Sequence, residues 1–169
     1  TSLLLDRGPD IEVKNYRGST ALHRAAESYS RKIAPALIEA GANIEARNND
    51  GRTPLHGAGR GGFFAAAKHL IDSGANIEAK DNDGRTPLHH AVDNPMFAVS
   101  SLLIARGANI DAKDKDGATP LQIATGHKHT PRFLSDPAGD TEVEDAAGNT
   151  HLHRAVFTNS PERVSLLLD

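Results

Sequence analysis

The chain has 169 residues with 19 basic and 22 acidic side chains, and its hydrophobic fraction of 38% is sufficient for one packed domain. Its formal net charge of −3 provides no overall field that would attract nucleic acid or an anionic membrane, so an electrostatic partner would need a local patch. Because the sequence contains no cysteine, disulfide frameworks, cysteine-based zinc sites, iron–sulfur clusters and thiol nucleophiles are excluded. No apolar run approaches the roughly 20 residues that span a bilayer, and we expect a soluble chain.

Most of the sequence repeats at a fixed interval of 33 residues, which falls in the range that is typical of repeat architectures. The residues that recur at one constant interval are Gly18, Gly51, Gly84 and Gly117; Leu22, Leu55, Leu88 and Leu121; and Ala25, Ala58, Ala91 and Ala124. The next copy, marked by Gly148, Leu152 and Ala155, comes early, so the preceding unit has lost two positions. Because Ser-Leu-Leu-Leu-Asp at residues 2–6 returns at residues 165–169, we expect the sequence to be a window from a longer array.

Each unit carries the signals of two short helices. The Asp50–Gly51 pair favours a tight turn, Thr53 favours a helix N-cap, and Pro54 favours the first helical position. This first helix should be about eight residues long, because Gly62 can take the left-handed conformation that ends a helix. The second helix should end before a further glycine, and residues 75–79 should then run extended to the next turn. Its apolar stripe consists of Ala66, Ala67, Leu70 and Ile71.

A single unit of this kind cannot bury its own apolar stripe, so its stability must come from stacking on neighbouring units. The recurring alanines fit this prediction, since larger residues between stacked helices would force the units apart. We therefore expect isolated units not to fold.

The hexapeptide Gly-Arg-Thr-Pro-Leu-His at residues 51–56 and 84–89, with Gly-Ala-Asn-Ile starting at residues 41, 74 and 107, resembles the ankyrin repeat. Weaker copies at residues 18–23, 117–122 and 148–153 extend the resemblance over nearly the whole chain. It implies an all-α solenoid of stacked helix-turn-helix units with extended, β-hairpin-like fingers. It also implies a concave face of fingers and first helices that grips other proteins, with no chemistry of its own.

The predicted organisation is a single domain over residues 1–169. It comprises a partial repeat at 1–14, repeats at 15–47, 48–80, 81–113 and 114–143, and an incomplete repeat at 144–169.

Three features depart from the regular pattern. Pro35 falls within the second helix of the first complete unit and predicts a kink or a late helix start. Pro95 occupies the slot of Gly62, and because its ring excludes the left-handed conformation, that connection must take another shape. The unit at 114–143 contains Pro131, Pro137 and a thin apolar stripe, so we expect it to be the weakest joint, with little hydrogen-exchange protection at residues 125–140.

Four of the nine histidines, His23, His56, His89 and His153, share one phase of the repeat, which favours a structural role over a metal site. In a Thr-x-Leu-His helix start the ring can form a hydrogen bond within its own turn, and the resemblance implies the same role. Gln122 replaces this histidine in the fourth unit and should weaken its first turn slightly. A zinc or nickel site remains an alternative hypothesis for the pairs His127/His129 and His151/His153.

Two other segments have a chemical and a structural interpretation. The glycine-rich residues 57–62 resemble a phosphate-binding loop, but they lie inside and just after a predicted helix, which indicates a loosened first helix instead. The acidic residues of 136–145 indicate a solvated finger, with a patch for a basic partner as the alternative.

The predicted partner surface uses positions that the fold leaves free, at the finger tips and the exposed end of the first helices. These candidates are Tyr16, Arg17, Glu27, Asp50, Arg52, Arg60, Asp83, Arg85, Asp93, Asn94, Lys115, Asp116, His127 and Phe157. Arginine and tyrosine are enriched at binding hot spots. The alternative is that the Asp-Gly-Arg tips only form favourable turns.

The function predicted from these observations is an intracellular, cytoplasmic or nuclear, protein-binding scaffold. It needs no cofactor or metal, binds no nucleic acid and inserts into no membrane. The rival hypothesis is an architectural spacer that anchors a catalytic or membrane domain encoded outside these residues.

Overall fold

The computed structural model describes residues 10–94 and 97–126, with the side chains of residues 125 and 126 not described. These residues all fall within one compact unit that spans residues 1–127. Seven helices form in this part of the chain: α1 (Ala21–Ala26), α2 (Ile33–Glu39), α3 (Pro54–Gly61), α4 (Phe64–Asp72), α5 (Pro87–Ala91), α6 (Ala98–Ala105) and α7 (Pro120–Gly126).

The helices form two layers of consecutive neighbours. The odd-numbered helices pack in the order α1, α3, α5 and α7, and the even-numbered helices pack in the order α2, α4 and α6. Each pair α1–α2, α3–α4 and α5–α6 joins the layers. The leucine of each first helix, namely Leu22, Leu55 and Leu88, is at most 1% exposed, and the recurring alanines beside it are also buried. The core is therefore a repeated stack of leucine and alanine contacts.

Helix α3 begins and ends where the sequence predicts, whereas α1 and α5, with six and five residues, are shorter than the predicted eight. Thr53 is the N-cap of α3 with extended backbone, Pro54 is the first helical residue, and α3 has the predicted eight residues. Gly62 follows with φ of 68°, the left-handed conformation that a side chain would disfavour. In α4 the predicted stripe is confirmed for Ala66, Ala67 and Leu70, which are buried, whereas Ile71 is half-buried.

Pro35 delays the start of α2, as predicted. The helix begins at Ile33, two residues later in the repeat than Phe64 of α4. Pro35 therefore lies in the first turn, where its missing N–H group removes no helical hydrogen bond.

Pro95 lies outside the described residues, so only the residues on either side of it bear on the prediction for that connection. Helix α5 ends at Ala91 after five residues, three fewer than α3. Phe97 then has a φ of 46°, which is unusual for a residue with a side chain. The weak joint predicted at 125–140 also lies almost entirely outside the described residues and stays a prediction.

The fingers differ in one respect from the predicted extended segment. Residues 75–79 contain a turn, because Asn76 Oδ1 accepts a hydrogen bond from Glu78 N at 2.9 Å and Asn76 O accepts one from Ala79 N at 3.2 Å. Asparagine favours such turns because its short side chain bonds to its own backbone two residues on. No β-strand forms within residues 10–94 and 97–126.

Neighbouring finger tips are joined by backbone hydrogen bonds. Asn49 N donates to Arg17 O at 3.0 Å, and Asn82 N donates to Asp50 O at 2.9 Å. The third bond in this series runs from Lys115 N to Asp83 O at 2.9 Å. These bonds set four successive tips side by side.

Gly59 is buried where α3 meets α5. Its lack of a side chain therefore has a packing reason, which the sequence prediction of a loosened helix missed. A Cβ atom at this position would lie 2.8 Å from Pro87 O and 3.5 Å from the Ala91 Cβ atom. The glycine thus permits the close approach of two helices.

We predict that Gly59→Ala lowers the free energy of unfolding by about 1–3 kcal/mol through overpacking, although alanine is the better helix former by about 1 kcal/mol. Chemical denaturation followed by circular dichroism measures the change. Gly57→Ala is the matched control in the same helix, because the nearest atoms to its Cβ, from 3.0 Å, would belong to the flexible, exposed Glu27 side chain. An equal or greater stability of Gly59→Ala relative to the parent chain would contradict this packing role.

Candidate functional site

A shallow polar groove lies between the first two finger tips and the helices α1 and α3. Its lining comes from Asn15, Arg17, Ser19, His23, Arg24, Glu27, Asn48, Asp50, Arg52, Thr53, His56, Gly57 and Arg60. Five of the predicted partner residues therefore come together in one groove. They are Arg17, Glu27, Asp50, Arg52 and Arg60.

The seven other predicted partner residues that the structure describes do not line this groove. Tyr16, Asp83, Asp93, Lys115 and Asp116 are exposed, and Tyr16 has 84% of its surface open to solvent. Arg85 and Asn94 are only half-buried. His127 and Phe157 lie outside the described residues. The finger tips thus supply side chains both inside and outside the groove. Arg17 and Asp50 line it, whereas the tips at 82–83 and 115–116 lie outside it.

The repeat histidines that the structure describes, His23, His56 and His89, are buried inside the stack. His56 Nδ1 accepts a hydrogen bond from Thr53 N at 3.1 Å, which places the ring in the role that glutamate plays in a capping box. Since Nδ1 is an acceptor, Nε2 carries the proton and donates it to Arg85 O in the next unit at 3.1 Å. The bond within the turn matches the prediction, and the bond to the next unit was missed.

The same arrangement occurs in the units on either side. The Nε2 atom of His23 lies 2.9 Å from Arg52 O, and that of His89 lies 3.1 Å from Ala118 O. In the fourth unit Gln122 Oε1 accepts the bond from Thr119 N at 2.9 Å, so the amide replaces the ring as the acceptor. Each histidine therefore both caps a helix and links two units.

Burial keeps these rings neutral. It lowers the pKa of His56 from 6.5 to about 4, because the charged ring would lose its hydration, and the bond to the Arg85 carbonyl offsets this only in part. Burial likewise lowers the pKa of His23 and of His89. A neutral ring is also what the two hydrogen bonds require, since protonated Nδ1 could no longer accept from the threonine N–H.

Arg52 and Arg85 bind carboxylates of the next unit, which sequence reasoning did not predict. Arg85 Nε lies 3.2 Å from Asp114 Oδ2, and Arg52 Nε lies 3.5 Å from Asp81 Oδ2. Arg52 also approaches Asp50, with Nη1 at 3.3 Å from Oδ2. Because Asp81 and Asp114 are buried, their contacts belong to the joints between units.

Asp81 is the centre of a buried polar cluster. Its Oδ1 accepts hydrogen bonds from Asp83 N and Arg85 N, each at 2.9 Å, and its Oδ2 accepts one from His90 Nε2 at 2.8 Å. Burial alone would raise the pKa of Asp81, but these hydrogen bonds outweigh it and hold the pKa below its ordinary value. Burial also keeps the pKa of His90 low, so a neutral ring donates to a charged carboxylate.

A signal for these contacts was present in the sequence. Arginine and aspartate occupy the same two repeat positions in Arg52/Asp81 and in Arg85/Asp114, whereas the equivalent positions of the preceding joint carry Ser19 and Asn48. The two positions thus change together between an ionic and a neutral pair.

The remaining chemical hypotheses have different outcomes. The glycine-rich residues 57–62 lie within α3 and its C-cap, consistent with the helical interpretation and not with a phosphate-binding loop. The histidines of the proposed zinc or nickel site, His127, His129, His151 and His153, lie outside the described residues, as do the acidic residues of 136–145. Among residues 10–94 and 97–126, no three His, Asp or Glu side chains are arranged to hold a metal ion.

A family model described as ankyrin repeats (3 copies) matches residues 1–81, 45–114, 62–145 and 93–169, which together extend over the whole chain. The chain belongs to the ankyrin repeat family. The stacked helices described above confirm the all-α solenoid class for this ankyrin repeat protein.

Ankyrin repeats are generally protein–protein interaction modules and are typically non-catalytic. Comparison with curated proteins finds no match to this ankyrin repeat chain. In the part of the chain that the structure describes, no helix is long and apolar enough to cross a membrane.

Proposed function

We propose that the chain is an intracellular scaffold that binds a partner protein through its finger tips and first helices and carries no catalysis of its own. Residues 1–169 act in this proposal as one domain with repeats at 15–47, 48–80, 81–113 and 114–143. The observation that carries it is the groove between the first two tips, where five candidate partner residues converge.

The division of polar residues between the joints and the surface supports this proposal. The described repeat histidines (His23, His56 and His89), together with Asp81 and Asp114, are buried and bonded between units, so they are unsuited to contact a partner. Tyr16, Asp83 and Lys115 belong to different tips and are exposed. A partner that spans several units could therefore contact side chains whose replacement leaves the stack intact.

We predict that replacing Tyr16, Asp83 and Lys115 together by alanine weakens binding of the partner at least tenfold, because hot-spot truncations each cost on the order of 1–2 kcal/mol. The partner is captured from an extract with the full chain, and the dissociation constants are then measured by titration calorimetry. Arg52→Ala and Arg85→Ala are unsuitable for this test, because both side chains stabilise joints between units.

Glu39→Ala with His69→Ala is the matched control, since both residues are exposed on the second helices α2 and α4. Binding that is indifferent to the tip variant but sensitive to the control would reject the proposed face. Binding indifferent to both would favour the architectural spacer.

A further inference from the structure

The groove between the first two units has an excess of positive charge. Its lining contains four arginines and two carboxylates, a formal balance of +2 in a chain whose total is −3. The two histidines in the lining, His23 and His56, add no charge near neutral pH, because burial lowers the pKa of both. The groove is thus a local basic site on an acidic protein.

Two of the four arginines are already neutralised within the protein. Arg24 Nη1 lies 3.0 Å from Glu27 Oε2, and Arg52 contacts Asp50 and the buried Asp81. The carboxylates in these pairs belong to the chain itself. Both guanidinium groups are therefore oriented toward partners within the protein.

The other two arginines, Arg17 and Arg60, have no carboxylate partner in the part of the chain that the structure describes. Both are exposed. Arg17 lies over the ring of Tyr16, with the guanidinium carbon 5.4 Å from the ring centre. The carbonyl of Arg60 accepts a hydrogen bond from Asn94 Nδ2 at 3.2 Å, which anchors the backbone and leaves the side chain at the surface. Among the described residues, the groove therefore has two guanidinium groups without a carboxylate partner: that of Arg17 on a finger tip, over the Tyr16 ring, and that of Arg60 near the end of α3.

We propose that this groove binds an acidic segment of the partner protein, with Arg17 and Arg60 each pairing with a carboxylate of that segment. The proposal rests on the function proposed above and specifies the chemistry of the partner. Guanidinium groups suit this ligand because their planar N–H pairs match the two oxygens of a carboxylate.

The charges beyond the groove favour a short acidic peptide segment over a nucleic acid. A phosphate backbone that continued along the tips would meet the exposed carboxylates of Asp83 and Asp116, with Lys115 as the one basic side chain at these two tips. Like charges in these positions would oppose a polyanion that extends past the second unit. A short acidic segment can bind within the groove alone, whereas the rest of the partner contacts the tips.

The test measures binding of a fluorescein-labelled decapeptide of glutamate to the full chain by fluorescence anisotropy. A glycine–serine decapeptide and a ten-nucleotide deoxythymidine strand serve as comparison probes. Binding of the glutamate peptide should weaken as salt rises from about 50 to about 300 mM, because exposed charges are screened. The double variant Arg17→Ala/Arg60→Ala should bind it about tenfold more weakly, since each exposed charge pair contributes a few-fold in affinity.

The matched control is Arg31→Ala/Lys32→Ala, which removes the same amount of charge at exposed positions outside the groove, in the repeat that also contains Arg17. It should bind the peptide within about twofold of the parent chain, as expected for surface charges distant from the ligand. Equal losses for the two double variants would show attraction by net charge alone and overturn the proposal. Tighter binding of the deoxythymidine strand than of the peptide, lost in the Arg17→Ala/Arg60→Ala variant, would also overturn it.

The outcome is separable from that of the proposed function. A partner protein that loses affinity with the tip variant but not with Arg17→Ala/Arg60→Ala would leave the scaffold function intact and refute the acidic segment. Loss of neither would refute the tip and first-helix face as a whole. Melting curves of both double variants, Arg17→Ala/Arg60→Ala and Arg31→Ala/Lys32→Ala, should match that of the parent chain, because the replaced side chains are exposed.

Discussion

Replacing Asp81 by alanine should lower the free energy of unfolding by about 3 kcal/mol or more, because each buried donor left without its acceptor costs about 1–3 kcal/mol. The variant loses the acceptor of two backbone N–H groups and of His90 Nε2, and it leaves Arg52 with Asp50 as its carboxylate contact among the described residues. Arg52 Nε is especially vulnerable, since it is buried and, among the described residues, has no hydrogen bond even in the parent chain. Urea denaturation followed by circular dichroism measures the loss.

The chain itself suggests the control for this experiment. Asn48 holds the equivalent position one unit earlier, and its Oδ1 accepts hydrogen bonds from Asp50 N and Arg52 N at 3.0 Å each. Asp81→Asn should therefore keep the two hydrogen bonds of the turn and lose the charge and the acceptor for His90 Nε2, since an amide nitrogen only donates, with about half the destabilisation of alanine. A change below about 0.5 kcal/mol for Asp81→Ala, the range of ordinary surface substitutions, would show that the buried cluster is not needed for stability.

Acidification from pH 7 to pH 5 should destabilise the stack by about 2 kcal/mol through His56 alone, because its pKa falls from 6.5 to about 4 on folding. Between these two values the unfolded chain binds more protons than the folded chain, so stability falls as the pH falls. His23, His89 and His90 act in the same direction, because burial lowers the pKa of each. Asp81 adds nothing in this window, because its pKa lies below its ordinary value in the folded chain.

Urea midpoints measured at half-unit intervals of pH test this dependence. The variant His56→Gln copies the amide that Gln122 supplies in the fourth unit, so it keeps an acceptor for the cap and removes the titrating ring. It should reduce the loss between pH 7 and pH 5 by about 2 kcal/mol. An unchanged dependence in His56→Gln would contradict the assignment of this histidine.

The local features of each unit could be predicted from sequence because they depend on neighbouring residues. The N-cap at Thr53, the left-handed Gly62 and the late start of α2 at Pro35 all follow from backbone conformations that these residue types favour or forbid. The contacts between units were harder to predict, because their partners are separated by nearly a whole repeat of the sequence. The histidine bond to the next unit and the burial of Asp81 therefore emerged only from the structure.

The candidate site shows the same contrast. Exposure at the tips was predictable for Tyr16 and Arg17, since turns with Asp-Gly or Arg-Gly lie at the surface. The sequence alone could not separate Arg17 and Arg60 from Arg52 and Arg85, because all four are arginines at the tips or helix ends. The distinction depends on which guanidinium reaches a carboxylate in the next unit.

The change from Ser19/Asn48 at the first joint to Arg52/Asp81 and Arg85/Asp114 at the next two gives the first joint a chemistry that differs from theirs. The block 48–80 presents asparagine to the block before it and arginine to the block after it. If a second copy of that block were placed behind the original, Arg52 would meet an asparagine instead of a carboxylate. The residues at the joints therefore restrict the order in which the blocks can follow one another. An arrangement that places an arginine opposite an asparagine would leave that arginine without a carboxylate in the next block.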